Sequence, residues 1–301
     1  MREVRSSSRR ATVPTVSYME SDGFNLDRLD TWGDQLDFKV DRDQCVAYAR
    51  ATNDPVAAHL EGVFAPPVFA VVPVTIMMAD ATLSVVPDDL MLRILHGEHD
   101  FRIYRPIEPG DALTVRAKPI GIQGKDSGVV VTTLIETRDS AGDLVNEQYF
   151  IGFFRGGSFD GTVGVKALEH AFPAPLRAQT PEFTVTARYD DDQTFRYAEA
   201  SGDPMPIHLD DDFAKQMGLP GIIIHGLCTI AFTSHALINN VCPDDPARLK
   251  RLAVRMSKPA FPGETITTSA WHAPDGTYRF ETAGDEQLDK FVITDGLAEF
   301  N

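Results

Sequence analysis

The chain contains an internal repeat, which constrains its fold more than any other feature of the sequence. Residues 48–55 resemble residues 197–204, and the same offset of 149 residues relates His59 to His208. Further along, the pattern Arg-Pro-x-x-Pro-Gly-Asp that begins at Arg105 recurs as Lys-Pro-x-x-Pro-Gly-Glu at an offset of 153 residues. A single length difference of four residues between these blocks reconciles the two offsets. Matches in constant register indicate a duplicated unit of about 150 residues.

Each repeat has the same order of predicted elements. A short helix, at residues 41–52 and 191–200, precedes a loop and a longer apolar helix, at residues 72–83 and 226–240. The second long helix is almost entirely apolar or small, so we expect it to be buried on most sides. Strand-like runs follow, at residues 92–104, 112–119, 128–137 and 146–154, and then at 249–257, 265–271, 278–282 and 290–297. A helix followed by antiparallel strands predicts an α+β unit whose sheet wraps around the helix.

A chain of 301 residues is long enough for two domains. We place the first unit at residues 1–155 and the second at residues 181–301. The glycines and prolines of residues 156–180 are typical of a linker. The alternative, a loop inside one domain, is less favoured because the repeat resumes directly after this segment.

The composition limits the partners of the chain. A net charge of -16 argues against a general affinity for nucleic acid and against adsorption to anionic membranes. No apolar run reaches the length that spans a bilayer. Residues 1–10 are basic and Ser-rich with no apolar segment after them, so we interpret them as a flexible tail rather than a targeting signal. The three cysteines lack ligand spacing and fit buried thiols in a reducing compartment, with the cytosol as the default location.

The most informative stretch lies in the second repeat. Residues 201–208 read Ser-Gly-Asp-Pro-Met-Pro-Ile-His, and an apolar run after them ends in His-Gly at residues 225–226. These blocks and their spacing resemble the signature of the MaoC-like, R-specific enoyl-CoA hydratase (hydratase 2) family, Ser-Gly-Asp-x-Asn-Pro-x-His followed by His-Gly. The resemblance covers both repeats and implies a double hot-dog fold, in which two antiparallel sheets each wrap around a long central helix.

Asp203 and His208 are the predicted acid–base pair. Hydration of a double bond beside a thioester needs a base for water, an acid for the α-carbon and a donor for the enolate oxygen. Two prolines between Asp203 and His208 keep the loop extended, so both side chains can face one water. The resemblance assigns the pair jointly to that water, and the direction of each proton transfer stays open. In isolation, this spacing is more typical of surface residues or a helix cap.

Gly226 is the predicted oxyanion donor. It opens the long helix, where backbone N–H groups lack intrahelical acceptors and glycine permits close approach; the resemblance gives the equivalent glycine this role. Ser201, Met205 and His225 are candidate substrate contacts, although Ser201 and His225 can instead simply shape turns. Met205 departs from the family signature, which has Asn there. A thioether cannot donate a hydrogen bond, so the change can slow turnover or reshape the pocket.

Two further residues of the second repeat are assigned structural roles. Asp210 is the predicted cap of a short helix at residues 211–217. His235, on the buried helix, is predicted to be a core histidine rather than a ligand. The sequence has no cluster with metal-ligand spacing, so neither a metal nor a cofactor is predicted, and a coenzyme A thioester enters only as substrate.

The first repeat is predicted to be non-catalytic. It retains Asp54 and His59, but Val72-Pro73 replaces the His-Gly pair, and proline has no N–H to donate. We expect this unit to provide space for the acyl chain and contacts for the carrier. Its apolar run at residues 64–73 can line a tunnel, although core packing explains it equally well.

The leading hypothesis is reversible hydration of a trans-2-enoyl-CoA to the (3R)-hydroxyacyl-CoA. One alternative is a 3-hydroxyacyl-ACP dehydratase of fatty-acid synthesis, and another is a catalytically impaired acyl-thioester-binding protein. Basic residues that can meet the carrier phosphates, or be ordinary surface charge, are Arg248, Lys250, Arg251, Arg255 and Lys258. A duplicated chain is already a pseudodimer, and a further homodimer is possible.

Overall fold

The computed structural model describes residues 23–167, 169–284 and 291–301. The predicted flexible tail at residues 1–10 lies outside these ranges. The helices are α1 Arg42–Ala51, α2 Ala57–Leu60, α3 Thr75–Leu83, α4 Ala174–Arg177, α5 Gln193–Ser201, α6 Asp211–Gln216 and α7 Gly226–Val241. The strands are β1 Leu36–Lys39, β2 Ile94–Ile103, β3 Ala112–Lys125, β4 Gly128–Arg138, β5 Leu144–Arg155, β6 Thr162–Gly164, β7 Phe183–Arg188, β8 Leu249–Met256, β9 Thr265–His272, β10 Tyr278–Gly284 and β11 Phe291–Phe300.

The predicted order of a short helix, a long helix and four strands is confirmed in both repeats. The main difference is at the first long helix, where α3 begins at Thr75 rather than at residue 72. A 3-10 segment, Pro67–Val74, precedes it and contains Pro73. Proline lacks the N–H and crowds the preceding turn, so the α-helical ladder starts only after it.

The strands form one sheet. Its order is β1-β3-β4-β5-β2-β8-β11-β10-β9-β7, with β6 paired to β3. Every strand of the first repeat lies on one side of the β2–β8 pair and every strand of the second on the other, and the ladders are antiparallel. The two predicted sheets are therefore present and are continuous through one shared ladder.

The register of the β2–β8 ladder shows how the repeats are related. Glu98 pairs with Arg255, and Arg102 pairs with Arg251. The offset of 153 residues takes Glu98 to Arg251 and Arg102 to Arg255. Exchanging the two repeats therefore converts the Glu98–Arg255 pair into the Arg102–Arg251 pair. A pseudo-two-fold axis passes through the centre of this ladder, beside Asp100.

The helices obey the same symmetry. The hydroxyl groups of Tyr48 on α1 and Tyr197 on α5, 149 positions apart, lie 3.3 Å from each other. All residues of α7 from Leu227 to Ile238 are buried, as the sequence predicts. One hydrophobic cluster includes side chains from both repeats, among them Tyr48 and Ile230. No helix in the part of the chain that the structure describes is long and apolar enough to cross a membrane.

The segment at residues 156–180 is packed along both repeats. Its first part adds β6 to the edge of β3, and Phe159 contacts Phe24 at a ring-centroid distance of 5.3 Å. Its second part contains α4, and Phe172 contacts Trp271 of the second repeat at 5.2 Å. The segment therefore belongs to the packed structure at both of its ends.

Candidate active site

The loop that carries Asp203 begins where α5 ends. Gly202 has a left-handed φ of 74°, which ends the helix at Ser201. The Asp203 N–H donates to Ser201 Oγ at 3.3 Å, and Asp203 Oδ1 accepts from the Met205 N–H at 3.1 Å. Ser201 is only 1% exposed, so its hydroxyl shapes the turn. The turn-shaping role considered for Ser201 accounts for this hydrogen bond, and a contact between Ser201 and the substrate stays a prediction.

His208 is held by the segment that leads into α7. It ends a 3-10 turn, Pro206–His208, and its Nδ1 donates to the Ile223 carbonyl at 2.8 Å. The Ile223 N–H in turn donates to the Ile207 carbonyl at 3.2 Å. Because Nδ1 carries the hydrogen, Nε2 of the neutral ring has a free lone pair. Burial lowers the pKa of His208, although the Ile223 carbonyl and Asp203 act in the opposite direction.

The predicted side chains converge. A carboxylate oxygen of Asp203 and one ring nitrogen each of His208 and His225 lie within 4.8 Å of one another. The His225 ring stacks on His208 at a centroid distance of 3.8 Å, with 24° between the planes. His225 Nε2 donates to the backbone carbonyl of Asp203 at 3.3 Å. Burial, and then proximity to His208, lower the pKa of His225 to about 3.

The same three residues have the composition of a metal site, but their geometry does not suit one. An imidazole nitrogen coordinates a metal along its lone pair, in the plane of the ring. The planes of His208 and His225 are nearly parallel, so their lone pairs do not meet at one point. His208 Nδ1 and His225 Nε2 are also occupied as donors to carbonyl groups. The arrangement suits proton transfer better than chelation.

Gly226 is the first residue of α7, where the N–H groups lack intrahelical acceptors and the helix dipole is positive. A Cβ at this position would overlap Sδ of Met256, the last residue of β8. Glycine therefore allows Met256 to pack closely against the start of the helix, in addition to the predicted approach of a substrate. Sequence reasoning missed Met256, because its neighbour in space lies 30 positions earlier in the chain.

Met205 and Asp210 lie on the outer part of the loop. Met205 is 50% exposed, and its contact with Asp203 is made by its backbone N–H rather than by its thioether. Asp210 caps α6 by accepting from the Phe213 N–H at 3.0 Å, which confirms its predicted role. The side chain at the position that departs from the family signature is therefore half exposed to solvent.

The first repeat retains the same pair in a different arrangement. His59 Nδ1 donates to Asp54 Oδ2 at 2.7 Å, and both side chains are fully buried. His235 of α7 places its Nε2 3.2 Å from the same oxygen. Burial acts to raise the pKa of Asp54, but His235 and His59 outweigh it and hold the pKa below its ordinary range. His235 is a core histidine, as predicted, with a partner that lies 181 positions away and that sequence reasoning missed.

The predicted carrier contacts at Arg248, Lys250 and Arg251 are not brought together with this site. They lie at the start of β8, whereas Met256 at its end touches Gly226, so the rise of a strand separates the two ends by roughly 20 Å. Arg251 forms ion pairs with Asp100 at 2.8 Å and with Glu299 at 3.0 Å. Arg248 Nε donates to the Asn301 carbonyl and Lys250 Nζ to the Ala247 carbonyl, at 2.5 and 3.3 Å.

The apolar run at residues 64–73 is divided between two environments. Val68, Phe69 and Val71 are buried in the core. Residues 64–67 and Ala70 line a cleft together with Ile103, and the turn after α7 closes the other side of it. Core packing therefore accounts for part of this run, and the remainder lines the cleft.

Comparison with known proteins identifies relatives of both halves. Residues 174–290 match the MaoC like domain, and residues 57–156 match the MFE-2 hydratase 2 N-terminal domain. The chain is 30% identical over 213 residues to the probable enoyl-CoA hydratase 2 of Dictyostelium discoideum, with 70% of each chain covered. It is 32% identical over 215 residues to the 3-hydroxyacyl-thioester dehydratase Y of Mycobacterium tuberculosis, covering 69% of this chain and 72% of that protein.

Solved structures agree with this comparison. A MaoC-like dehydratase from Phytophthora capsici superposes with a TM-score of 0.80 at 27% identity, covering 92% of this chain and 99% of that one. The full-length peroxisomal multifunctional enzyme type 2 from Drosophila melanogaster superposes with a TM-score of 0.72 at 26% identity, covering 89% of this chain and 48% of that one. The likeness therefore extends across both repeats.

Proposed function

Because this chain belongs to the MaoC-like hydratase 2 family, we propose that it catalyses the reversible hydration of a trans-2-enoyl-CoA to the (3R)-hydroxyacyl-CoA. The observation that carries the proposal is the convergence of Asp203, His208 and the N-terminus of α7, which Gly226 opens. The fold alone does not require this chemistry. These groups can supply the base for water, the acid for the α-carbon and the donor for the enolate oxygen.

His208 and Asp203 share the water. The lowered pKa of His208 keeps its ring neutral near neutral pH, and its Nε2 lone pair can accept a proton. Asp203 is fixed by the Met205 N–H through one carboxylate oxygen. In hydration, the water oxygen bonds to C3, one water proton passes to this pair, and one proton passes from the pair to C2. Protons therefore balance, and the reverse sequence is the dehydration.

The backbone N–H of Gly226 is the proposed hydrogen-bond donor for the thioester oxygen. As C2 accepts its proton, negative charge that has developed on the thioester oxygen needs a donor. The Gly226 N–H, at the positive end of α7, supplies it. In the first repeat this donor is absent at Pro73, and Asp54 and His59 are bound to each other. That half is proposed to be non-catalytic and to accommodate the acyl chain.

The experiment is a hydratase assay on purified protein with trans-2-enoyl-CoA substrates of several chain lengths, followed by loss of the enoyl-thioester absorbance. Chiral analysis of the product is expected to give the 3R isomer. Asp203→Asn and His208→Gln are expected to lower kcat by at least about 100-fold. His59→Gln is the matched control in the first repeat and is expected to retain activity. A His208→Gln enzyme with most of its activity would contradict the proposal.

The same purified protein distinguishes a CoA carrier from an ACP carrier, and a hydratase from a protein that only binds acyl thioesters. Enoyl-ACP and enoyl-CoA of equal chain length are compared by kcat/KM, and a preference for enoyl-CoA is expected. Binding of enoyl-CoA without turnover at any chain length would instead support an acyl-thioester-binding protein. The cytosolic location and a further homodimer stay predictions.

A further inference from the structure

One side chain, His225, contacts every part of the proposed catalytic set. The His225 ring stacks on His208, and its Nε2 donates to the Asp203 carbonyl. The backbone carbonyl carbon of His225 is bonded to the Gly226 nitrogen. The ring centroid of Tyr197 lies 4.9 Å from that of His225 and limits the movement of the imidazole. His225 is 1% exposed, so it has little freedom to leave this position.

The protonation state of His225 excludes it from proton transfer near neutral pH. With a pKa of about 3, its ring is neutral over the range in which His208 can exchange protons. Because Nε2 carries the hydrogen that bonds the Asp203 carbonyl, Nδ1 carries none. This Nδ1 is buried and has no hydrogen-bond partner among the described residues. The side chain can therefore orient its neighbours without competing with them for protons.

We propose that His225 is a positioning residue: its ring fixes the plane of His208, and its hydrogen bond ties the Asp203 loop to the first turn of α7. The inference rests on the proposed hydration, because that reaction gives the mutual geometry of Asp203, His208 and Gly226 its importance. A neutral ring is suited to this place, since a cationic ring stacked on His208 would oppose protonation of His208 during turnover.

Three variants of His225 distinguish the effect of its stack on His208 from the effect of its hydrogen bond to the Asp203 carbonyl. His225→Phe keeps an aromatic surface for stacking but loses the donor, His225→Gln keeps a donor but loses the stack, and His225→Ala loses both. We expect kcat to fall by about 100-fold in His225→Ala and by less in the other two, with KM changed by less than about threefold. Loss of the stack exposes His208 to water, so its pKa is expected to rise in the Gln and Ala variants and to stay low in the Phe variant.

The pKa of His208 is measured by NMR titration of its ring signals, without substrate, and compared with the kinetic pH profile. This measurement succeeds even if the protein is not a hydratase, so failure of the proposed function and failure of this inference are distinguishable. His99→Gln, a buried histidine of the first repeat, is the control and is expected to change stability but not the pKa of His208. If His225→Ala does not fold, the Phe and Gln variants decide.

Wild-type kcat together with an unchanged His208 pKa in the Gln variant would overturn the stacking role. Wild-type kcat in the Phe variant would overturn the role of the hydrogen bond. A loss of activity equal in all folded variants, with no change in the His208 pKa, would also overturn the inference, because it would reduce His225 to a packing residue.

Discussion

At the scale of single residues, the aspartate–histidine pairs of the two repeats make different hydrogen bonds. In the second repeat His208 Nδ1 bonds the Ile223 carbonyl, which leaves Nε2 and the Asp203 carboxylate to face a ligand. In the first repeat His59 Nδ1 bonds Asp54 directly. The hydrogen-bond partner of Nδ1 therefore distinguishes the proposed acid–base site of the second repeat from the buried, hydrogen-bonded pair of the first.

This difference predicts opposite effects for the two aspartates. Asp54→Ala removes the partner of two buried histidines and is expected to cost about 3–5 kcal/mol of unfolding free energy, with kcat of the folded enzyme retained. Asp203→Ala is expected to change stability by less than about 1 kcal/mol and to abolish hydration. Urea unfolding and the hydratase assay measure both effects. Equal losses of activity in the two variants would contradict the division of roles.

A second residue-scale prediction concerns Gly226. Gly226→Ala brings a Cβ into the space of Met256 Sδ and beside the N–H that is proposed to bind the thioester oxygen, so kcat is expected to fall by at least about 100-fold. The double variant Gly226→Ala/Met256→Ala removes the overlap and is expected to regain a substantial part of the activity. If the double variant remains as inactive as the single one, the glycine is required by the substrate rather than by Met256.

At the scale of elements, the connection between the repeats is anchored where the two halves of the sheet meet. His170, within residues 156–180, lies 3.1 Å from Glu98 of β2 and donates to the Asp295 carbonyl of β11 at 2.5 Å. Arg255 of β8 is paired with both Glu98 and Asp295, at 2.8 and 3.1 Å. One cluster thus links the connection to three strands from both repeats.

The cluster predicts a dependence of stability on pH. Burial acts to lower the pKa of His170, but Glu98 and the Asp295 carbonyl outweigh it, so the pKa is raised. A raised pKa in the folded state stabilises the protein below the ordinary histidine value of about 6.5, and this contribution is lost as the pH rises through the folded-state pKa. Unfolding free energies from pH 5 upward are expected to show this loss in the wild type but not in His170→Gln.

The control for this prediction is His272→Gln, at an exposed histidine on β9, which is expected to keep the wild-type pH dependence. Glu98 remains ionised across this range because its pKa is lowered, so it does not produce the same slope. An identical slope in the wild type and in His170→Gln would show that the charge of His170 does not anchor the connection.

At the scale of the whole molecule, the two repeats share one sheet and one core. The pseudo-two-fold axis passes beside Asp100, which is 1% exposed and is paired with Arg251 across the β2–β8 ladder. The predicted contact between Arg251 and the carrier would require this arginine to leave a buried carboxylate without its partner. Its place at the axis instead favours a role in holding the repeats together.

Arg251→Met is therefore expected to lower the unfolding free energy by about 3 kcal/mol and to change the KM for enoyl-CoA by less than about threefold. Lys250→Met, one position away, is the control and is expected to cost less than about 1 kcal/mol. Denaturant unfolding and steady-state kinetics provide both values. A tenfold rise in KM with unchanged stability would restore Arg251 as a carrier contact.

The sequence by itself determined the duplication, the order of the elements and the loop that carries Asp203 and His208. These follow from local features: constant register between repeats, the almost entirely apolar composition of α7, and the prolines on either side of Met205. The same reasoning identified Pro73 as a residue without an N–H. Each of these inferences needs only neighbours in the chain or the comparison of one repeat with the other.

Only the tertiary structure decided which side chains meet. The stack of His225 on His208, the close approach of Met256 to Gly226, and the pairing of His235 with Asp54 join residues from different elements, and no spacing rule connects them. The ion pairs of Arg251 with Asp100 and Glu299 also depend on tertiary structure, because charge in a sequence does not reveal its partner. Contacts between distant segments depend on how helices and sheets pack, and that is fixed only when the whole chain buries its apolar surface.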